Sequence, residues 1–136
     1  MASSSVPSSF GFRLQHVQLA IPRGSEDACR RFYIDILGLS EVPKPPALAV
    51  RGGMWLRADG VEVHLGAEDD FRPAKKAHPA FVVASFDALV ERLTASGVEI
   101  RWDESIPGTR RFHASDNVGN RLEFIAPSDN DDNAAR

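Results

Sequence analysis

The sequence predicts an α+β fold built from two βαβββ modules, and three observations carry that prediction. The order of local signals, one strand, a helix, then three strands, runs once up to about residue 66 and again from about residue 77. Polar residues recur in the same register: 62 positions separate His16 from His78, and 59 separate His64 from Glu123. The turn glycines Gly60 and Gly119 are also 59 positions apart, and each precedes its polar residue by four. Two unrelated halves would match in this way only by accident.

Taken in order, the first strand is Arg13 to Ile21, where Leu14, His16 and Gln18 alternate with Gln15, Val17 and Leu19 until Pro22 and Gly24 end it. His16 therefore falls on the more polar strand face. Ser25 with Glu26 and Asp27 reads as a helix start, with Ser25 as capping hydroxyl. That helix carries Ala28, Phe32, Ile36 and Leu37 on one side and stops at Gly38. Strands follow at Leu39 to Val42, at Ala47 to Val50 with Met54 to Arg57, and at Val61 to Leu65 after the turn Ala58-Asp59-Gly60. The second half repeats the order. A strand at Ala80 to Val83 leads to a helix at Phe86 to Ala95, with Leu89, Val90 and Leu93 inward and Gly97 as its stop. Strands at Val98 to Trp102, Arg111 to Ala114 and Arg121 to Ile125 complete it, the last two joined by the turn Asp116 to Gly119.

The chain has 136 residues, 43% hydrophobic and 26% charged, which suits one compact domain able to fold without a structural metal. The expected folded unit is 12–127, with module one at about 12–66 and module two at about 77–127. Residues 1–11 are rich in Ser, Pro and Gly and 128–136 are polar, so both read as tails outside the fold. Cys29 is the single cysteine, the N-terminus lacks the charged and apolar regions of a secretion signal, and no stretch is long enough to span a membrane. A cytoplasmic protein is expected. A net charge of −3 argues against nucleic acid as a partner, while Arg101, Arg110 and Arg111 gather in the second half, as scattered surface arginines or as a group serving a small anionic ligand.

If the halves are related by a pseudo-two-fold axis, the first and last strands of each module take equivalent places, and His16, His64, His78 and Glu123 converge. Imidazoles and a carboxylate suit one divalent ion, Zn, Ni, Mn, Co or Fe. Glu62 shares a strand face with His64 and is either its hydrogen-bonded support, a base, or a solvated edge carboxylate. His113 matches no ligand position, so pairing with Asp116 or lining the cup is expected of it. Of Trp55, Phe71, Trp102 and Phe112, two are expected in the core and the rest around a pocket.

The stretches LQHVQLAIP (14–22), FYIDILGLSEV (32–42), VEVHLG (61–66), AHPAFVV (77–83) and DNVGNRLEFIAP (116–127) resemble the vicinal oxygen chelate superfamily. It includes glyoxalase I, extradiol dioxygenases, fosfomycin-modifying enzymes and bleomycin-binding proteins. The resemblance implies paired modules forming a cup-shaped mixed sheet, with one metal ligand from each of four strands: His16, His64, His78 and Glu123. Among these, His16, His78 and Glu123 are implied as a two-histidine, one-carboxylate set. His64 stands where glyoxalase I has a glutamate base, so His64 and Glu123 are the implied catalytic residues. The function implied first is a metal-dependent lyase or isomerase that chelates neighbouring oxygens of a small substrate. An Fe(II) ring-cleaving dioxygenase and a metal-free, bleomycin-resistance-like binding protein are the alternatives. A homodimer is implied too, with a site built either in one chain or across two, because the linker from Ala67 to Ala77 reaches both ways.

Overall fold

A computed structural model of the chain describes residues 6–128. Most of the expected C-terminal tail and the first five residues of the N-terminal one lie outside that range. Residues 6–16 form no regular element, and Val6, Phe10, Phe12 and Leu14 are each at least 85% exposed.

The strands are β1 (Val17–Pro22), β2 (Ser40–Val42), β3 (Met54–Ala58) and β4 (Val61–Glu68) in module one. Module two has β5 (Ala80–Val82), β6 (Arg101–Trp102), β7 (Arg111–Ser115) and β8 (Arg121–Ile125). They form two four-stranded sheets, ordered β1-β4-β3-β2 and β5-β8-β7-β6. In each sheet the first and last strands of the module pair in parallel and every other pair is antiparallel. The identical strand order is the structural form of the sequence repeat.

Alternation sorts the side chains of these strands. Met54 and Leu56, Val63 and Leu65, Phe112 and Ala114, and Leu122 and Phe124 are buried in the core. Trp55, Glu62, His64, His113, Arg121 and Glu123 occupy the intervening positions and so share the opposite faces of their sheets. The helices cover the core side. Helix α1 (Glu26–Arg30) runs into a π-helical stretch Arg31–Ile36, burying Cys29, Phe32 and Tyr33, and Gly38 ends it at φ +82°. Ser25 does not cap this helix, because its hydroxyl donates to the Pro22 carbonyl at 2.6 Å. Helix α3 (Phe86–Ala95) buries Phe86 and Leu93 against the same core.

The strand expected at Ala47 to Val50 is instead a helical turn, α2 (Pro46–Ala49). Pro46 supplies a fixed φ and lacks only an N–H that a first helical turn leaves unpaired, so it starts a helix better than it joins a sheet. Gly53 then brings the chain onto β4. At its φ of +80° a Cβ would lie 2.0 Å from the Leu65 carbonyl oxygen, so no other residue fits without moving the backbone.

Buried polar groups tie the modules together. Asp116 accepts hydrogen bonds from Tyr33 Oη at 2.5 Å and from the backbone N–H groups of Val118 and Asn120. Asn120 donates to the Ala20 carbonyl at 2.8 Å and accepts from the Ala74 N–H at 2.9 Å. Burial, then the neighbouring Asp116 charge, holds the Tyr33 phenol well above its ordinary range, so it stays a donor.

Candidate metal centre

On the polar face of the second sheet, Glu123 of β8 pairs with Ala80 of β5 on one side and with His113 of β7 on the other. His78, two residues ahead of Ala80, reaches the same carboxylate. His78 Nε2 lies 2.8 Å from Glu123 Oε1, and His113 Nε2 lies 3.4 Å from that oxygen. One ligand atom each from His78, His113 and Glu123 lies within 4.8 Å of the others.

Tautomers decide what these atoms need. His78 Nδ1 is 2.9 Å from the Lys76 carbonyl oxygen, which only accepts, so Nδ1 carries the proton. Nε2 is then the ring nitrogen turned to the Glu123 carboxylate, as a hydrogen-bond donor when it carries a proton or as a ligand atom when it does not. His113 Nε2 faces Arg121 Nη2 at 3.1 Å, a group that only donates, so this nitrogen carries a lone pair. Nitrogens of two imidazoles thus face one carboxylate oxygen, an arrangement that a proton on His78 Nε2 bridges or that a cation can bridge in its place, taking the His113 lone pair from Arg121. A backbone carbonyl fixing the far nitrogen is also how metal-binding histidines are commonly oriented.

The protonation states suit a cation. Burial alone would raise the Glu123 carboxyl, but Arg111 and His78 bond to the charged form and hold it below its ordinary 4.5. Burial, aided by the Arg121 guanidinium, lowers His113 from 6.5, which keeps the ring neutral near pH 7. Arg111 Nη1 binds Glu123 Oε2 at 2.7 Å, and its Nη2 binds Asp103 at 2.9 Å. That clamp leaves Oε1 as the oxygen turned to the histidines. The donor set fits a divalent metal.

The corresponding corner of module one is arranged differently. His64 is buried and sandwiched, with His16 stacked on one face at 3.9 Å and 16° and Trp55 on the other at 4.3 Å and 6°. Its Nε2 is 2.9 Å from Glu62 Oε2, and this bond, with that from Arg57, holds Glu62 below the ordinary carboxylate range. An ionised Glu62 accepts, so His64 donates from Nε2, and Nδ1 is the nitrogen that this bond leaves over. A metal sits in the plane of each imidazole it binds, at about 2.1 Å. Rings as nearly parallel as His16 and His64 have no common in-plane point that near, so in this arrangement they do not share one ion. His16 is exposed, with Gln15 as hydrogen-bond partner, whereas His64 is buried.

The predicted residues are therefore brought together in pairs, His16 with His64 and His78 with Glu123. His113 joins the second pair rather than Asp116, whose carboxylate is taken by Tyr33, Val118 and Asn120. A signal for it was available: His113 and Glu123 each stand five positions from Val118 in a hairpin, which sets them opposite each other. Glu62 is the hydrogen-bonded support of His64. Among the aromatics, Phe112 is core, Trp55 forms part of the site and Trp102 is 49% exposed.

The family model described as the Glyoxalase/Bleomycin resistance protein/Dioxygenase superfamily matches residues 13–124. The chain belongs to this superfamily. A glyoxalase family protein from Bacillus anthracis has 40% identity to it and a TM-score of 0.85, over 90% of this chain and 100% of that one. A glyoxalase/dioxygenase from Nostoc punctiforme, at 23% identity and a TM-score of 0.70, covers 94% of this chain and 100% of its own. A variant of the fosfomycin resistance protein FosX from Listeria monocytogenes, complexed with Mn(II) and 1S,2S-dihydroxypropylphosphonic acid, has 20% identity and a TM-score of 0.70. That likeness covers 88% of this chain and 95% of the FosX chain. No curated protein matches the sequence. Members of the superfamily bind small molecules, and among the described residues no helix is long and apolar enough to cross a membrane.

Proposed function

We propose that this superfamily member is a metal-dependent lyase or isomerase of glyoxalase type, acting on a small substrate through two neighbouring oxygens. The convergence of one potential ligand atom each from His78, His113 and Glu123 carries the reading. Zn, Ni, Mn, Co or Fe all accept such a nitrogen and oxygen set. The Mn(II) and oxygenated phosphonate held by FosX are consistent with it. The ion would supply Lewis-acid stabilisation to an oxygen that gains negative charge.

The rest falls to the chain's own side chains. Arg111 holds Glu123 in place and keeps it ionised. His64, with Nδ1 free and Nε2 bonded to Glu62, accepts a proton from the substrate carbon, and Glu62 stabilises the imidazolium that results. Trp55 fixes the plane of that ring.

His16, exposed at the edge of its stack, would serve as a further ligand of the ion. Because His16 and His64 lie outside the group formed by His78, His113 and Glu123, we infer a homodimer in which module one of one copy faces module two of the other. Elemental analysis of untagged protein tests the ion, with one per chain expected. Mixing His16→Ala with Glu123→Ala protein tests the sharing: a mixed dimer regains one intact site and part of the activity. No recovery on mixing, or a monomer by light scattering, overturns the shared site.

A further inference from the structure

We infer that the cavity beside His113 is an anion subsite, which takes the phosphate, phosphonate or carboxylate end of a small ligand. The cavity holds about 430 Å³ and is lined by Lys75, Arg101, His113, Ser115, Gly119 and Arg121. Three cationic side chains and no carboxylate line it. The chain as a whole carries a net charge of −3, so this excess runs against its average.

The charges there are poorly matched within the protein. Arg111, the nearby arginine that the metal centre uses, is already shared between Glu123 and Asp103 and adds nothing to the balance. Arg101 meets Glu99 only at 3.4 Å, with the Glu99 side chain largely and the Arg101 side chain partly in water, a contact of little strength. Arg121 bonds to the His113 ring and has no carboxylate within 4.0 Å among the described residues. Lys75 has no ion pair among them either. Ser115 Oγ, which accepts from Arg101 Nη2 at 3.5 Å, keeps a hydroxyl proton to donate. Guanidinium forks and a hydroxyl around one small cavity match the geometry of an oxyanion.

Position gives the subsite its use. Arg121 touches His113 Nε2, which in turn lies 3.4 Å from Glu123 Oε1, so a bound oxyanion sits next to the candidate metal centre. A ligand with an anionic end close to neighbouring oxygens reaches both. As a statement about substrate this rests on the metal-centre reading above; as an anion site it stands without it.

The test uses metal-free full-length protein titrated with inorganic phosphate, at an ionic strength held constant with chloride, and followed by calorimetry and thermal melting. Methylphosphonate and acetate run alongside to separate the three anion types. At least one of them is expected to bind and to raise the melting temperature. Lys75→Gln and Arg101→Gln, neither of which touches His78 or Glu123, should each weaken it about tenfold, the scale of one charge-assisted hydrogen bond. The double variant should lose it. No saturable binding by any of the three, or binding of unchanged strength in the double variant, overturns the inference. Metal content measured on the same samples keeps the two readings apart: anion binding in protein that takes up no metal supports this site and defeats the other, and the reverse result defeats this one alone.

Discussion

The His64 corner of module one and the Glu123 corner of module two share a backbone and differ in chemistry. Gln18 pairs with His64 and Ala80 with Glu123, so His16 and His78 each stand two residues ahead of the position opposite the last strand. Trp55 lies across from His64 where His113 lies across from Glu123. In module one these positions hold a stack of three rings with a carboxylate on its edge, an arrangement suited to handling a proton. In module two they hold two imidazole nitrogens around a carboxylate oxygen, which suits a cation. The register of a duplicated module thus fixes where functional atoms can be, and single substitutions within it decide which task each copy performs.

The largest effect is expected at the centre of the second corner. Glu123→Ala should remove the bound metal, at a loss of several kcal/mol in metal affinity. It also strips Arg111 of its closest partner, and that buried vacancy should lower the stability of the metal-free protein by about 1–3 kcal/mol. His64→Ala, its counterpart, should abolish turnover and leave metal content near wild type. Elemental analysis with denaturant melts of both variants checks the contrast; metal retained by Glu123→Ala would falsify it.

Much of this comparison was legible in the sequence. Strand β8 and helix α3 were readable to the residue, because alternating Leu122 and Phe124 and the stop at Gly97 leave little choice. The module repeat followed from spacing alone, whereas spacing put Glu62 on the face of His64 and left its role open among support, base and solvated carboxylate. What failed were segments where local chemistry competes with pattern: Pro46 turned an apolar run into a helix, and only Arg101–Trp102 of the strand expected from Val98 pairs with β7. His113 was passed over because it has no counterpart among the repeat-related ligands, its equivalent being Trp55. The separation of His16 and His64 from the other pair depends on how modules face one another, which no local spacing encodes.

A second, smaller effect sharpens the contrast at that very position. His113→Phe gives module two an aromatic ring where module one has Trp55. Metal affinity should fall at least about tenfold, the lower bound for losing a group that ligates or closely supports a site. Competition against a chelator measures it, and unchanged affinity would show that His113 is a bystander.

Acid should expose the same residue. His113 has a lowered pKa in the folded protein, so the unfolded chain takes up its proton first, and stability is lost as pH falls below 6.5. Glu123, lowered from 4.5, contributes stability above that value, which is lost as pH falls through its depressed pKa. Metal-free protein should therefore weaken first below pH 6.5 and again below 4.5, the second step shared with Glu62. In His113→Phe the upper step should shrink. Denaturant melts of both proteins across this range test it, and an unaltered upper step would assign that proton elsewhere.

The smallest effect belongs to Trp55, and its value lies in its sign. Phe in place of Trp55 keeps an apolar ring against His64 but overlaps less of the imidazole than the indole does at 4.3 Å. Aromatic stacks of this kind contribute about 0.5–1.5 kcal/mol beyond the area they bury, so Trp55→Phe should cost less than about 1 kcal/mol. A shift in urea midpoint with an unchanged slope would confirm that the native fold alone is affected. Metal content should not change, because Trp55 bonds to no group in the His78 and Glu123 cluster. Turnover should fall further than stability does, since a loosened His64 spends less time aimed at the proton it accepts. A drop in bound metal in Trp55→Phe would contradict this division of labour, because His64 would then be holding the ion as well as moving the proton.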